Sequence, residues 1–170
     1  MLRSAGSVTI NISGGGSLAY GSFYSSVDQS DGVNTANAMA CEFTAVNDGV
    51  TMEANGSGKK TRITFARAGT YNIQFSAQFH NTGGGGPGNT VDIWFALNGN
   101  NIDNSNTKLT VPANAPYVVA AWNFVQAVTA GQYVEIYWAT DNANIVIEHE
   151  PSTALHPAVP SVIITAQQIQ

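Results

Sequence analysis

Apolar and polar residues alternate with a period of two along nearly the whole chain, and no long stretch returns apolar residues at helical spacing. In the segment 71–79, Tyr71, Ile73, Phe75, Ala77 and Phe79 fall on one face, with Asn72, Gln74, Ser76 and Gln78 on the other. This predicts a strand with one side in a core. Segment 91–98 repeats the pattern, setting Val91, Ile93, Phe95 and Leu97 against Asp92, Trp94 and Ala96. The dipeptide Asn98-Gly99 then supplies the positive φ angles of a tight hairpin turn. Further strands are predicted at 7–12, 18–24, 39–46, 60–66, 118–126, 132–140, 144–149 and 160–168. About ten short strands separated by turn residues describe an all-β chain, a single antiparallel sandwich or jelly roll.

Several of these strands are apolar on both faces. Tyr133, Val134, Ile136, Tyr137 and Trp138 in one, and Val159, Val162, Ile163 and Ile164 in another, leave few positions for water. A solvated antiparallel sheet is polar on its outer side. Either another sheet and a loop cover these strands, or their second face is buried against another subunit. Large exposed apolar patches are rare on monomers, which favours the subunit in so small a chain. Tyr133, Ile136, Trp138, Val162 and Ile164 are therefore the candidate subunit-interface residues.

Two glycine-rich stretches punctuate the pattern. The run 13–17 (SGGGS) predicts a hinge between an N-terminal strand or arm, 1–17, and the jelly-roll domain, 18–170; 83–88 (GGGGPG) predicts a loop tip. Neither is long enough to separate two domains. No Gly-X-Y tract, heptad segment or fixed-period repeat marks a shaft.

Composition sharpens the question of what the surface meets. Charged residues are 10% of the 170, against a usual level of about 25%, while hydrophobic residues are an ordinary 44%. The chain is thus too apolar and too weakly charged for disorder. Glycine and asparagine, 17 of each, fill the polar surface together with Thr, Ser and Gln. A net charge of -5 from thinly spread groups gives no field to attract nucleic acid. The single cysteine, Cys41, closes no intramolecular disulfide and reads as a small core residue. No signal peptide and no apolar run of bilayer length is present, so a soluble protein made in the cytoplasm and without membrane insertion is expected.

Candidate chemistry is sparse. Segment 56–60 resembles half of a phosphate-binding loop, but Met52 stands where its first glycine belongs and Lys60 where a magnesium-binding hydroxyl belongs. Glu148, His149 and Glu150, with His156 and His80 elsewhere, are the best metal candidates. On a strand Glu148 and Glu150 share a face and His149 points away, and the sequence specifies no tetrahedral set. The Asn-rich turn 98–106 holds one carboxylate, Asp103, too few for a strong calcium site. No nucleophile elbow is found, and Asp28 and Asp31 sit in a polar loop. No catalytic residue, no metal and no cofactor is predicted. Trp94, Trp122 and Trp138 each lie mid-strand, where core or interface is favoured over a sugar-stacking platform.

The segments AYGSFY (19–24), AGTYNIQFSAQF (68–79), VDIWFALNG (91–99), VAAWNFV (119–125), YVEIYWA (133–139) and PSVIITAQQI (160–169) resemble the compact β-domain of bacteriophage virion proteins. That domain is found at fibre tips and in capsid decoration proteins. Its fold is similar to the jelly rolls of tumour necrosis factor and the complement globular heads. The resemblance covers about residues 18–169 and implies a TNF-like fold, trimerisation through one sheet around a threefold axis, and no catalytic residue. Fibre proteins of this kind usually carry the domain behind a long shaft, whereas here Met1 stands only about 17 residues before it. A decoration (cement) protein is therefore expected, a homotrimer on the outer surface of the virion whose partners are itself and the major capsid protein or other virion proteins. The alternative is a receptor-binding or adhesive head that meets a host surface glycan. In the arm, Val8, Ile10 and Ile12 alternate with Thr9 and Asn11. These three residues either anchor the trimer by adding a strand to a neighbouring sheet edge or form the first strand of the chain's own sandwich.

Overall fold

In the segment 69–81, Tyr71, Ile73, Phe75, Ala77 and Phe79 are all buried, and the residues between them are half-buried or exposed. The alternation in the sequence is thus the alternation of the pleat. The computed structural model describes residues 17–30, 32–83, 89–113 and 117–170. In chain order their strands are β1 (Tyr20–Ser25), β2 (Asn37–Ala38), β3 (Phe43–Asp48), β4 (Val50–Ala54), β5 (Lys60–Phe65), β6 (Gly69–Asn81) and β7 (Thr90–Leu97). There follow β8 (Asn100–Asn101), β9 (Thr107–Thr110), β10 (Val118–Val128), β11 (Tyr133–Thr140), β12 (Ile145–Ile147) and β13 (Val162–Gln168). No helix of the described residues is long and apolar enough to cross a membrane.

Two antiparallel sheets face each other. The first runs β10-β6-β13-β1-β3, with β12 paired to β6 on the side away from β10. The second runs β4-β5-β11-β7-β8, with β9 also on β7 and β2 on β11. From β6 onward the long strands alternate between sheets, β6, β10 and β13 in the first and β7 and β11 in the second, so the core is built almost wholly from long-range contacts. Aromatic pairs bridge it: Phe79 meets Trp138 edge-on at 5.7 Å, Phe75 meets Phe95 at 6.1 Å, and Phe95 stacks on Phe124 at 4.6 Å. Each such side chain contributes about 1.5–3 kcal/mol by burial.

Two turns depend on a left-handed backbone. Asn98 and Gly99, at φ 50° and 79°, close the tight hairpin between β7 and β8 that the dipeptide predicts. Gly49, at φ 70°, carries the chain from β3 in the first sheet to β4 in the second. A side chain there would bring Cβ within 3.1 Å of the Ala19 methyl and 3.3 Å of the Arg67 guanidinium.

The structure corrects the interface expectation. Ile136, Trp138 and Ile164, each 1% exposed, and Val162, at 0%, lie between the two sheets and belong to the chain's own core. Tyr133 points outward on the second sheet, beneath the Arg62 guanidinium. The strand expected at 39–46 begins only at Phe43, in the first sheet: Asn37–Ala38, ahead of it, pairs with β11 in the second, and buried Met39 and Cys41 span the gap. Strands β2, β4, β8 and β9 fall outside the expected strands because they are short or rich in Thr and Asn. Residues 1–16, with Val8, Ile10 and Ile12, lie outside the described residues, as do Asp31 and most of the 83–88 loop.

Candidate functional site: the outer faces of the two sheets

The ladder register places the outward side chains of the first sheet in rows across five strands. One row reads Val125, Asn72, Gln167, Tyr20, Asp48; the next Asn123, Gln74, Thr165, Ser22, Val46; the third Ala121, Ser76, Ile163, Tyr24, Phe43. The single formal charge among these side chains, Asp48, sits at a corner and is matched by Arg67 at 2.9 Å. Five of the others are large hydrophobic groups 40–56% exposed, Val46, Val125, Phe43, Tyr20 and Ile163, and Val119 adjoins the third row at 57%. Tyr24 and Phe43 stack at 5.1 Å, and Asn123 donates to Asn72 at 3.1 Å, so the face is ordered by its own contacts. Shallow hollows of about 210 and 250 Å³ flank Gln74.

At the far end of this face ionisable groups gather. His80 pairs through Nδ1 with Glu148 and packs its ring 4.7 Å from that of Tyr117. The Tyr117 hydroxyl is pushed up to about 12, first by its hydrogen bond to Glu150, then by burial and the charge of Glu148. As the alternation implies, His149 turns the other way: its backbone N–H donates to Asp28 at 2.8 Å and its ring Nδ1 lies 2.9 Å from the Val159 carbonyl. His156 is in the exposed loop beyond. Among the described residues no three His, Cys, Asp or Glu side chains converge as metal ligands.

The outer face of the second sheet has the opposite character. It carries Glu53, Lys60, Arg62, Asp92, Lys108 and Glu135 on its strands. Glu135 is only 3% exposed; it accepts from Thr61 Oγ1 at 2.6 Å and Tyr137 OH at 3.2 Å and lies 3.8 Å from Arg62. Burial, followed by the Glu135 charge, raises the Tyr137 hydroxyl above the ordinary phenol range. Directly opposite Tyr137 in the register, Trp94 stacks on it at 5.7 Å with the rings 16° from parallel. The outward side of β11 is therefore covered by intramolecular aromatic and ionic contacts, which explains its double apolarity without a second subunit.

Other expected features find ordinary places. Asn55 Oδ1 accepts from Ser57 N, Ser57 Oγ and Lys59 N, making 55–59 a capped turn. Cys41 is fully buried, and burial, with Glu42 beside it, drives its thiol well above the normal range. Of the tryptophans, Trp138 is in the core, Trp122 packs edge-on against Phe75 at 4.5 Å, and Trp94 lies outside the core. The open apolar strand missed in the sequence is β10. Its outward Val119, Ala121 and Val125 oppose inward Ala120, Trp122 and Phe124, a doubly apolar pattern as clear as that of β11.

No family model matches this sequence, and no curated protein does. Among solved structures the chain is similar to murine APRIL. The crystal structure at pH 5.0 shares 12% identity at a TM-score of 0.57, over 89% of this chain and 99% of that one. The form at pH 8.5 gives 11% and 0.56 over the same shares. At such identity the likeness is one of fold, and the fold is a TNF-like jelly roll, as the resemblance implied.

Proposed function

We propose that this chain is a non-enzymatic structural protein that assembles as a homotrimer through the outer face of its first sheet and decorates the capsid of a bacteriophage. The observation that carries the reading is the row structure of that face: apolar and amide side chains over five strands, with one neutralised carboxylate at the corner. Depletion of charge with retention of aromatic and apolar groups is the composition of an interface centre. The TNF-like fold supports a threefold arrangement, and the six segments that resemble virion β-domains support a place on the particle's outer surface, beside the major capsid protein. No cofactor enters this reading. The second reading, a receptor-binding head at a fibre tip, draws on the outward pair of Trp94 and Tyr137.

The test is the mass of the purified chain in light scattering. A value near three times 17.8 kDa is expected, and a stable monomer overturns the assembly. Copy number in purified particles then separates the two roles. A decoration protein is as abundant as the capsid lattice it covers, and a fibre head is scarce.

A further inference from the structure

We infer that the hollow on the outer face of the second sheet, walled by Trp94 and the Asn-rich hairpin that follows β7, is a binding site for a neutral saccharide. It goes beyond the assembly reading, since it lies on the sheet opposite the proposed interface and remains open to solvent whether or not the chain trimerises.

The hollow, about 490 Å³, is bounded by Asp92, Trp94, Asn101, Asp103, Asn104 and Asn106, among others. Two contacts fix the indole. Its Nε1–H donates to Asn101 Oδ1 at 2.8 Å, and its ring stacks on Tyr137. The polar groups are fixed as well: Asp92 accepts from Asn106 Nδ2 at 3.0 Å and pairs with Lys108 Nζ at 3.3 Å. Each amide spends one end on these contacts. Among the described residues this leaves the Asn101 NH2 without an acceptor and the Asn106 carbonyl without a donor. The backbone that presents them is held from beneath by buried Ser105, whose Oγ donates to the Ile102 carbonyl at 2.7 Å and accepts from Phe95 N at 3.1 Å. Asn104, at φ 60°, turns the loop back toward the sheet.

A pyranose offers one face of C–H groups, suited to a flat indole, and a rim of hydroxyls that both donate and accept. A planar carboxylate and two amides with a spare donor and a spare acceptor match that rim. Two carboxylates, Asp92 and Asp103, against one ammonium, Lys108, disfavour an anionic ligand. Because indole, amides and carboxylate are all oriented before binding, little ordering cost remains for the complex.

The experiment applies the purified full chain to an array of neutral and anionic oligosaccharides, then titrates the strongest neutral binder by isothermal calorimetry. Saturable binding is expected, weakened about tenfold or more in Trp94→Ala, as for a buried aromatic anchor. A several-fold loss is expected in Asn106→Ala, which keeps the aromatic stack and so covers the case in which Trp94→Ala fails to fold. Retention of no neutral saccharide, retention of anionic ones alone, or affinity unchanged in Asn106→Ala and in any folded Trp94→Ala overturns the site. Light scattering on the same samples keeps the questions apart: a trimer that binds no sugar refutes only the site, and a monomer that binds sugar refutes only the assembly.

Discussion

The two sheets of this sandwich are built on one alternation yet turn opposite surfaces outward. The first has strands of Val, Ala, Asn, Gln, Ser and Thr with one carboxylate, Asp48; the second carries six charged residues on its strands, with Arg62 beside Glu135 and Lys108 paired to Asp92. Scarcity of charge in the chain as a whole is thus concentrated on one side. The lesson is that a low charge fraction is informative by its location: spread evenly it concerns solubility, while gathered on one sheet it has the composition of an interface centre, as proposed above.

The sharpest way to break this comparison uses two neighbours on β13. Ile164 points into the core at 1% exposed, and Ile163 points out at 40%. Ile164→Asp buries an unpaired carboxylate and costs more than about 4–5 kcal/mol, a large part of the marginal stability of a domain. Loss of the cooperative melt is expected. Ile163→Asp leaves the core intact and places a charge at the centre of the uncharged face; the expected result is a folded chain whose scattering mass falls from trimer to monomer. If Ile163→Asp melts and sediments as the unaltered protein does, the first sheet's outer face is not an interface.

Away from that face the predicted effects on stability are smaller. Arg62→Ala removes the cation beside nearly buried Glu135 and the guanidinium over Tyr133, and a loss of about 1–3 kcal/mol is expected in denaturant titration, with no change of mass. The smallest effect is alkaline. Tyr117 and Tyr137 hold their protons more tightly in the folded chain than in the unfolded one. Their contribution is therefore complete below pH 10 and is lost as pH rises toward about 12, the Tyr117 value, so the melting temperature should decline across that interval. A flat profile there would mean that neither hydroxyl is held by its carboxylate.

Much of the architecture is legible in the residues. The parity of 71–79 and 91–98 places the core side chains of β6, and those of β7 as far as Phe95; beyond it Ala96, expected outward, is fully buried and Leu97 is half-buried, and Asn98-Gly99 marks the hairpin. What alternation does not contain is which apolar face the chain covers with its own material. For β11 the outward face is closed by Trp94, Arg62 and Thr61, partners 43 to 74 positions away, which only the fold brings near. For β10 nothing in the described residues closes it, although the local pattern is the same. The candidate saccharide hollow was hidden similarly: the Asn-rich turn looks like plain connection until the register sets Asn101 beside Trp94.

One pairing has a practical corollary. β1 and β13 run side by side, with Tyr20 opposite Gln167 and the Ala19 N–H bonded to the Gln168 side chain, so residues 18 and 169 leave the sheet at a common pole. The tip of the 151–158 loop, with Leu155 at 95% exposure, lies beyond the other end of the same strands. A cargo fused after Ile169 would therefore stand clear of that tip, and a peptide inserted at Leu155 would be displayed on the far side. The molecule thus has two opposite poles open to added sequence, with the uncharged wall of the first sheet running between them.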